Sequence, residues 1–254
     1  MHTACLRLLC YDSLLKAPTM PPKTLIHFSD PHLSRTRAYT YPNWQATLQH
    51  INTQKPDLAV CTGDYILDAP EDQDDLAFAR EEMGRLQVPC LSLPGDHDIG
   101  GAPPQPRPRP TVPWLENYLT TEARRQHYVQ HFGVDRWARA FGDWYLIGLN
   151  DLIFGSGFSA EAEQWDFLQR HIALAAQRPI ALFMHKPPCV TSLLEHTDMT
   201  HAIPAIARAR LRNLMQGANV RLIACGHLHV YRTFQTLGVT VVVAPPLMRG
   251  VDDY

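Results

Sequence analysis

Short, continuous apolar runs recur along the chain, and they limit its possible folds more than any other feature of the sequence. Each run is only a few residues long and is bounded by polar or turn-forming residues, so it is too short for a buried helix. Runs of this kind predict strands that are covered on both faces. We predict seven such strands, at residues 24–29, 57–62, 90–93, 144–150, 180–184, 221–226 and 239–244.

Helical patterns separate these runs. Apolar residues recur at helical spacing, and Ser159 belongs to the residue types that commonly cap a helix N-terminus. Strands that alternate with helices indicate an α/β architecture. With 254 residues the chain is long enough for one sizeable core. The predicted helices lie at residues 41–53, 72–86, 159–172 and 205–216.

The segment at about 100–142 interrupts this alternation. It opens with GGAPPQPRPRP, which can form neither a regular helix nor a central strand. A helical pattern follows at about 114–131. We therefore expect a lid-like insertion within a single domain that covers residues 20–254, and we interpret residues 1–19 as a disordered N-terminal extension.

Composition and charge exclude several classes of protein. The net charge of −2 gives no global field that would attract nucleic acid or an anionic membrane. No apolar run approaches the length of a membrane span. The six cysteines include no C-x-x-C pair, so a disulfide framework or a zinc–thiolate site is not expected. The N-terminal apolar stretch is short and is broken by Arg7 and Asp12. We expect a cytoplasmic protein with no stable nucleic-acid partner and no membrane contact.

Carboxylates and imidazoles follow five of the predicted strands, at the point where each strand ends. The carboxyl ends of strands in α/β sheets are where loops converge to form sites. Any one of these residues alone is typical of an ordinary polar turn, but five strand ends in succession favour one shared site. The residues are Asp30, His32, Asp64, Asp96, His97, Asp98, His185, His227 and His229.

The chemistry of these residues predicts a metal centre. Aspartate and histidine together suit divalent ions such as Mn, Fe or Zn. Glycines before Asp64, Asp96 and His227 let the backbone turn tightly, so that the ligands can approach one point. Seven ligands are too many for one tetrahedral ion but suit two ions that share a bridging carboxylate. Such a pair of ions can clamp the attacking and leaving oxygens of a phosphoryl displacement.

The ordered motifs D-x-H, G-D, G-[N/D]-H-D, H and G-H-x-H resemble the signature of the calcineurin-like metallophosphoesterases. The resemblance extends from about residue 24 to 230. It implies a four-layer α/β fold, in which a central β-sandwich is flanked by helices on both sides. The compact single domain and the motif order are most similar to the class III cyclic-nucleotide phosphodiesterase branch of this family.

The resemblance also implies a role for each motif residue. One ion would be held by Asp30, His32, Asp64 and His229, and the second by Asp64, Asp96, His185 and His227, with Asp64 as the bridge. His97 would act as general acid toward the leaving oxygen or stabilise its charge, and Asp98 would orient the His97 imidazole. A hydroxide that bridges the ions would be the nucleophile.

Two positions depart from the family pattern. Asp96 stands where the family normally has asparagine, and its extra negative charge predicts a preference for monoanionic diesters over dianionic monoesters. Lys186 stands where the family often has a second histidine. It is either a phosphate contact or a solvated lysine.

Arg107 and Arg109 either reach over the site from the insertion or belong to a solvated proline-rich linker.

The sequence thus predicts a dinuclear metal-dependent phosphodiesterase whose substrate is a small phosphodiester, a cyclic nucleotide or a similar compound. The enzymatic alternatives are a phosphomonoesterase and a hydrolase of nucleotide or lipid pyrophosphates that uses the same site. A catalytically inactive binding scaffold is disfavoured, because His97 and the unaltered ligand positions are all present.

Overall fold

The computed structural model describes residues 22–67, 73–101, 119–196 and 201–248. The expected N-terminal extension, Arg107 and Arg109 lie outside these ranges. None of the helices in them has the length and apolar character that crossing a bilayer requires. The elements in chain order are β1 (Leu25–Phe28), α1 (Tyr41–Gln54), β2 (Leu58–Cys61), α2 (Gln73–Met83), β3 (Cys90–Ser92), α3 (Asp96–Ile99), α4 (Glu122–Phe132), β4 (Trp137–Phe141), β5 (Trp144–Gly148), a 3-10 turn (Asp151–Ile153), α5 (Ser159–Ala175), β6 (Ile180–Phe183), α6 (Ala205–Met215), β7 (Val220–Cys225), β8 (Arg232–Thr236) and β9 (Val239–Val243).

Within the described ranges the strands form two sheets. The first is parallel, in the order β1-β2-β3. The second has the order β4-β5-β6-β7-β9-β8. Its four inner strands are parallel to one another, and β4 and β8 are antiparallel to their neighbours at the two edges. The parallel strands end on the same side of each sheet, which brings the loops that follow them together.

Apolar residues on the strands alternate between two cores, as expected for sheets that are packed on both faces. Val60 of the first sheet and Phe183 of the second lie in the core between the sheets. Cys61 faces α1, α2 and α4, whereas Ile223 faces α5 and α6. Burying a valine or phenylalanine side chain contributes about 1.5–3 kcal/mol. The layers are helices, sheet, sheet and helices, which confirms the predicted four-layer α/β fold.

The range predicted for the insertion, at about 100–142, includes residues that belong to the body of the fold. Strand β4 pairs with β5 in the register Trp137↔Gly148 to Phe141↔Trp144. On α4, Tyr128 is fully buried in the same core as α1 and α2. Residues 119–141 therefore belong to the body of the fold, and residues 102–118 lie outside the described ranges.

Candidate metal centre

The five strand-end motifs converge where β1, β2 and β3 of one sheet meet β6 and β7 of the other. Their side chains form two groups that share Asp64, and in each group the candidate ligand atoms lie within 4.8 Å of one another. The structure thus brings together all seven residues that the sequence proposed as ligands. The first group is Asp30, His32, Asp64 and His229, and the second is Asp64, Asp96, His185 and His227.

The backbone bends sharply at most of these positions. Five of the seven residues have left-handed φ angles, a region that residues other than glycine seldom occupy. Strained conformations of this kind are concentrated at functional sites. The residues and angles are Asp30 (56°), His32 (45°), Asp64 (55°), His227 (68°) and His229 (52°).

Glycines make the close approach of these loops possible. A Cβ atom at Gly95 would overlap the Asp64 carboxylate, and one at Gly226 would overlap the side chains of Ser29 and Asp30. Gly63 has a φ of +101°, which disfavours any residue with a side chain. The glycines that precede the ligands in the sequence are therefore required for the ligand groups to form.

The first group has the spacing of ligands around one ion. His32 Nε2 lies 2.9 Å from His229 Nε2 and 3.6 Å from Asp64 Oδ2. With metal–nitrogen bonds of about 2.0–2.1 Å, two adjacent ligands of an octahedral ion lie about 2.9 Å apart. His32 Nδ1 donates to the carbonyl oxygen of Ile66 at 3.2 Å. This bond places the lone pair of Nε2 toward the group, as in ligating histidines.

The second group repeats this arrangement. His185 Nε2 lies 2.8 Å from Asp96 Oδ1 and 3.4 Å from Asp64 Oδ1. His227 Nδ1 lies 2.9 Å from the same oxygen of Asp96. His185 Nδ1 donates to the carbonyl oxygen of Thr62 at 2.8 Å, so its Nε2 also faces the ligand group.

The protonation states of Asp64, Asp96 and His32 suit metal binding. Burial alone would raise the pKa of Asp64, but the positive charge of His185 outweighs it, and the pKa falls below its usual range. Burial likewise opposes the ionisation of Asp96, whose pKa is nonetheless brought well below normal by His227 and Lys186. Burial lowers the pKa of His32 to about 4. Ionised carboxylates and a neutral imidazole are the forms that bind metal ions. For His185 burial is outweighed by the charge of Asp64, which raises its pKa, so an ion that binds its Nε2 must displace a proton.

His97 lies beside the shared carboxylate. Its backbone N–H donates to Asp64 Oδ1 at 2.9 Å, and its ring packs edge-to-face against the ring of His32 with centroids 4.7 Å apart. Nδ1 donates to the carbonyl oxygen of Leu67 at 2.7 Å. The Leu67 carbonyl therefore fixes the imidazole orientation, and Nε2 lies on the opposite edge of the ring.

Asp98 accepts hydrogen bonds from three backbone N–H groups. Its Oδ1 accepts from the backbone N–H groups of Tyr65 and Ile66 at 2.8 and 3.2 Å. Its Oδ2 accepts from the backbone N–H of Gly95 at 2.8 Å. The expectation that Asp98 orients the His97 imidazole stays a prediction, since the bonds described here join Asp98 to backbone N–H groups and the Nδ1 of His97 to the Leu67 carbonyl. Asp98 ties together the loops that carry Asp64 and Asp96.

Asp151 is a site residue that the sequence analysis missed. It is buried, its Oδ1 accepts from the backbone N–H of His185 at 2.6 Å, and its Oδ2 accepts from that of Lys186 at 3.1 Å. The residue directly follows the predicted strand at 144–150, so the strand-end signal that identified the other carboxylates was present. Asp151 holds the turn that presents His185.

Two further cationic or potentially cationic side chains lie beside the second group. Lys186 is nearly buried, at 9% exposure, and its charge acts on Asp96. The exposed ring of His201 lies 6.3 Å from that of His227. His201 belongs to the loop before α6 and follows no strand, so the strand-end signal could not identify it.

The sequence profile of the calcineurin-like phosphoesterases matches residues 23–231. The chain belongs to this family. Calcineurin-like phosphoesterases use divalent metal ions, and the two residue groups described above offer the oxygen and nitrogen ligands for them. The family prediction made from the five motifs is confirmed.

Several curated relatives are enzymes of phosphate esters. A probable glycerophosphodiester phosphodiesterase of Arcobacter nitrofigilis is 30% identical over 76% of this chain and 64% of its own length. The 3′,5′-cyclic adenosine monophosphate phosphodiesterase of Escherichia coli is 25% identical over 80% of this chain and 66% of its own length. A human serine/threonine-protein phosphatase is 24% identical over 83% of this chain and 66% of its own length. The chain thus spans 64% to 66% of the length of these relatives.

Two solved structures share the fold. A dimetal phosphatase from Danio rerio superposes with a TM-score of 0.60 at 10% identity, over 88% of this chain and 87% of the other. A purple acid phosphatase from yellow lupin seeds also gives a TM-score of 0.60, at 14% identity, over 87% of this chain and 43% of the other. At this identity the likeness concerns the fold alone.

Proposed function

We propose that this protein is a dinuclear metal-dependent phosphodiesterase that hydrolyses a small phosphodiester, a cyclic nucleotide or a similar compound. The observation that carries the proposal is the sharing of Asp64 by two complete ligand groups. Relatives named as glycerophosphodiester and cyclic-nucleotide phosphodiesterases support a diester substrate.

Each ligand group would hold one divalent ion (Mn, Fe or Zn), with Asp64 contributing to both. When bound, two such ions supply Lewis acidity and a water that is activated for attack at neutral pH. The protein fixes the distances between the ligand atoms. His32 and His185 are each fixed by a backbone carbonyl acceptor, so little rearrangement is needed for their Nε2 atoms to bind.

His97 is the proposed general acid. Because Nδ1 is engaged by the Leu67 carbonyl, Nε2 is the atom that would pass a proton to the leaving oxygen. Burial would lower the pKa of His97, but without bound ions the negative charges of Asp64 and Asp96 outweigh it, and the pKa is raised. The role as general acid rests on the position of the ring beside the shared carboxylate.

Asp96 supports a diester over a monoester. Its carboxylate makes the centre one unit less positive than the amide of an asparagine would. A less positive centre attracts every anionic substrate less strongly. The loss of attraction is larger for a dianionic monoester than for a monoanionic diester, because the interaction energy is proportional to the substrate charge. Lys186, beside Asp96, is the proposed contact for a phosphate oxygen, because an ammonium group binds phosphate as a point charge.

The test compares two chromogenic esters. Metal-stripped protein is refilled with Mn²⁺, and hydrolysis of bis-p-nitrophenyl phosphate is measured against p-nitrophenyl phosphate. We expect diester preference, and a fall of about 10²- to 10⁴-fold in His97→Ala. His50→Ala, on the surface of α1, is the matched control and should keep full activity.

A preference for the monoester would instead favour a phosphomonoesterase, the alternative that the relative named as a serine/threonine-protein phosphatase supports. Hydrolysis of neither ester, combined with no turnover of 3′,5′-cyclic AMP by protein that has bound two ions, would contradict both activities.

A further inference from the structure

A second cluster of metal-binding side chains lies on α4, outside the metal centre. His127 and His131 are one helical turn apart, and residues at this spacing are neighbours on a helix surface. Their Nε2 atoms lie 3.2 Å apart, and their rings meet edge-to-face with centroids at 4.8 Å. Both side chains are partly exposed. The pair takes no part in the proposed reaction.

The separation of the two nitrogens matches that of two ligands on one ion. With zinc–nitrogen bonds of about 2.0–2.1 Å, two ligands of a tetrahedral ion lie about 3.3 Å apart. The distance between the Nε2 atoms of His127 and His131 therefore already suits a single ion, and the rings need only turn so that both lone pairs face it. Without an ion, one ring donates its Nε2–H to the other. Binding also requires that this proton move to Nδ1 of the same ring, which leaves both Nε2 lone pairs for the metal.

The surroundings leave room for an ion and its water ligands. Ala123, one turn before His127, presents only a methyl group, and Val134, after the helix ends, is exposed. No third histidine, cysteine or carboxylate joins the pair among the residues that the structure describes. Water would fill the remaining coordination positions, so we expect weaker binding than at the metal centre.

The charge state of His127 favours binding. Burial, followed by the charge of His131, lowers the pKa of His127, and a neutral imidazole is the form that binds a metal ion. The guanidinium of Arg124 lies on the same helix, and its NH1 donates to the Leu119 carbonyl oxygen. Its positive charge opposes a cation nearby and limits the affinity.

We propose that His127 and His131 form a surface bis-imidazole site for one Zn²⁺ ion or a similar borderline divalent ion. The site exists only when α4 is folded, so binding stabilises the folded protein. This helix packs Phe132 against Tyr65, with ring centroids 4.3 Å apart, and Tyr65 follows Asp64 in the chain. The proposal does not depend on phosphodiesterase activity.

The experiment counts bound zinc by equilibrium dialysis of the whole chain. It compares the unaltered protein with His127→Gln, His131→Gln and His50→Gln. Glutamine keeps helix propensity high, and both histidines are partly exposed, so the variants should fold. His50 is a partly exposed histidine on α1 with glutamine one turn later, which makes it the matched control.

We expect the unaltered protein and His50→Gln to bind one zinc ion more than either variant of the pair. At zinc concentrations that saturate the metal centre, further zinc should raise the Tm of the first two proteins only. Equal zinc counts in all four proteins would overturn the proposal. If the metal centre does not bind zinc, the number of bound zinc ions falls equally in all four proteins, and the difference of one ion between them remains. The experiment therefore tests the surface site separately from the proposed phosphodiesterase.

Discussion

Nε2 of His185 lies 2.8 Å from Oδ1 of Asp96, and this contact joins the two sheets of the sandwich. Asp96 follows β3 of the first sheet, and His185 follows β6 of the second. Residues this far apart in sequence meet only after both sheets have formed and packed. The metal centre is therefore a property of the complete fold, and an ion bound there links the two halves of the protein.

The first prediction follows from this linkage. Because unfolding separates the ligands, an ion that binds only the folded protein stabilises it by about 2.7 kcal/mol at a hundred times its Kd. We expect EDTA to lower the Tm and added Mn²⁺ to restore it, as monitored by circular dichroism. His32→Ala removes a ligand of one group and should show a smaller Mn²⁺ shift. An identical Tm with EDTA and with Mn²⁺ would argue against a resident ion.

The second prediction concerns the charge of Asp96. Asp96→Asn restores a neutral oxygen ligand, so we expect weaker metal retention and a shift of the diester-to-monoester rate ratio toward the monoester. The ratio is measured with the two nitrophenyl esters, and metal content by elemental analysis. Asp166→Asn makes the same chemical change at an exposed position on α5 and should change neither quantity. If Asp96→Asn also leaves both unchanged, the charge argument is wrong.

The ligand set was predictable from the sequence because its chemistry is local. Aspartate or histidine after one buried strand is typical of an ordinary turn, but five such strand ends in succession can be recognised, and the parallel topology brings strand ends together. The partner of His97 was not predictable. Its acceptor is the backbone carbonyl of Leu67, and since every residue carries a carbonyl group, no residue type marks this one.

Two strands escaped detection for a related reason. Strands β4 and β8 are at the edges of the second sheet, and each includes exposed residues such as Arg139 and Thr233. Sequence patterns identify strands by continuous apolar runs only when both faces are buried. Edge strands with polar residues lack that signal, and β4 was therefore assigned to the insertion.

The third prediction concerns Asp151, which positions the His185 turn through two backbone hydrogen bonds. Asp151→Ala removes both acceptors. Groups that orient metal ligands typically contribute about 10- to 100-fold to metal affinity or activity, and we expect a loss of that size. Asp151→Asn keeps one acceptor oxygen and should recover part of the affinity.

The matched control for Asp151 is Glu82→Ala. Glu82 is a buried carboxylate on α2 that accepts from Trp44 and Tyr41 of α1 at 2.8 and 3.0 Å, and neither partner is a candidate ligand. It should lower stability without changing metal affinity. Affinity is measured by calorimetric titration of Mn²⁺ at a temperature where every variant is folded. Equal losses of affinity in Glu82→Ala and Asp151→Ala would mean that general destabilisation, and not positioning, explains the effect.

The fourth prediction concerns His27, which is fully buried between the sheets and has Nε2 3.0 Å from Thr62 Oγ1. Burial lowers its pKa from 6.5 to about 4, against a smaller opposing effect of Asp30. Between pH 6.5 and about 4, His27 is protonated in the unfolded chain but stays neutral in the folded chain. The stabilisation is therefore complete above pH 6.5 and is lost as the pH falls toward 4, by about 3 kcal/mol.

His27→Leu removes this titration and should flatten the dependence of the free energy of unfolding on pH in that range. Urea unfolding from neutral pH down to about pH 4 measures it. The variant also leaves the Thr62 hydroxyl without its partner, which costs about 1–3 kcal/mol at every pH, so the change in slope is the diagnostic quantity. His50→Gln should keep the slope of the unaltered protein. A slope in His27→Leu equal to that of the unaltered protein would mean that another group dominates acid destabilisation, His32 being the next candidate because its pKa is also lowered to about 4.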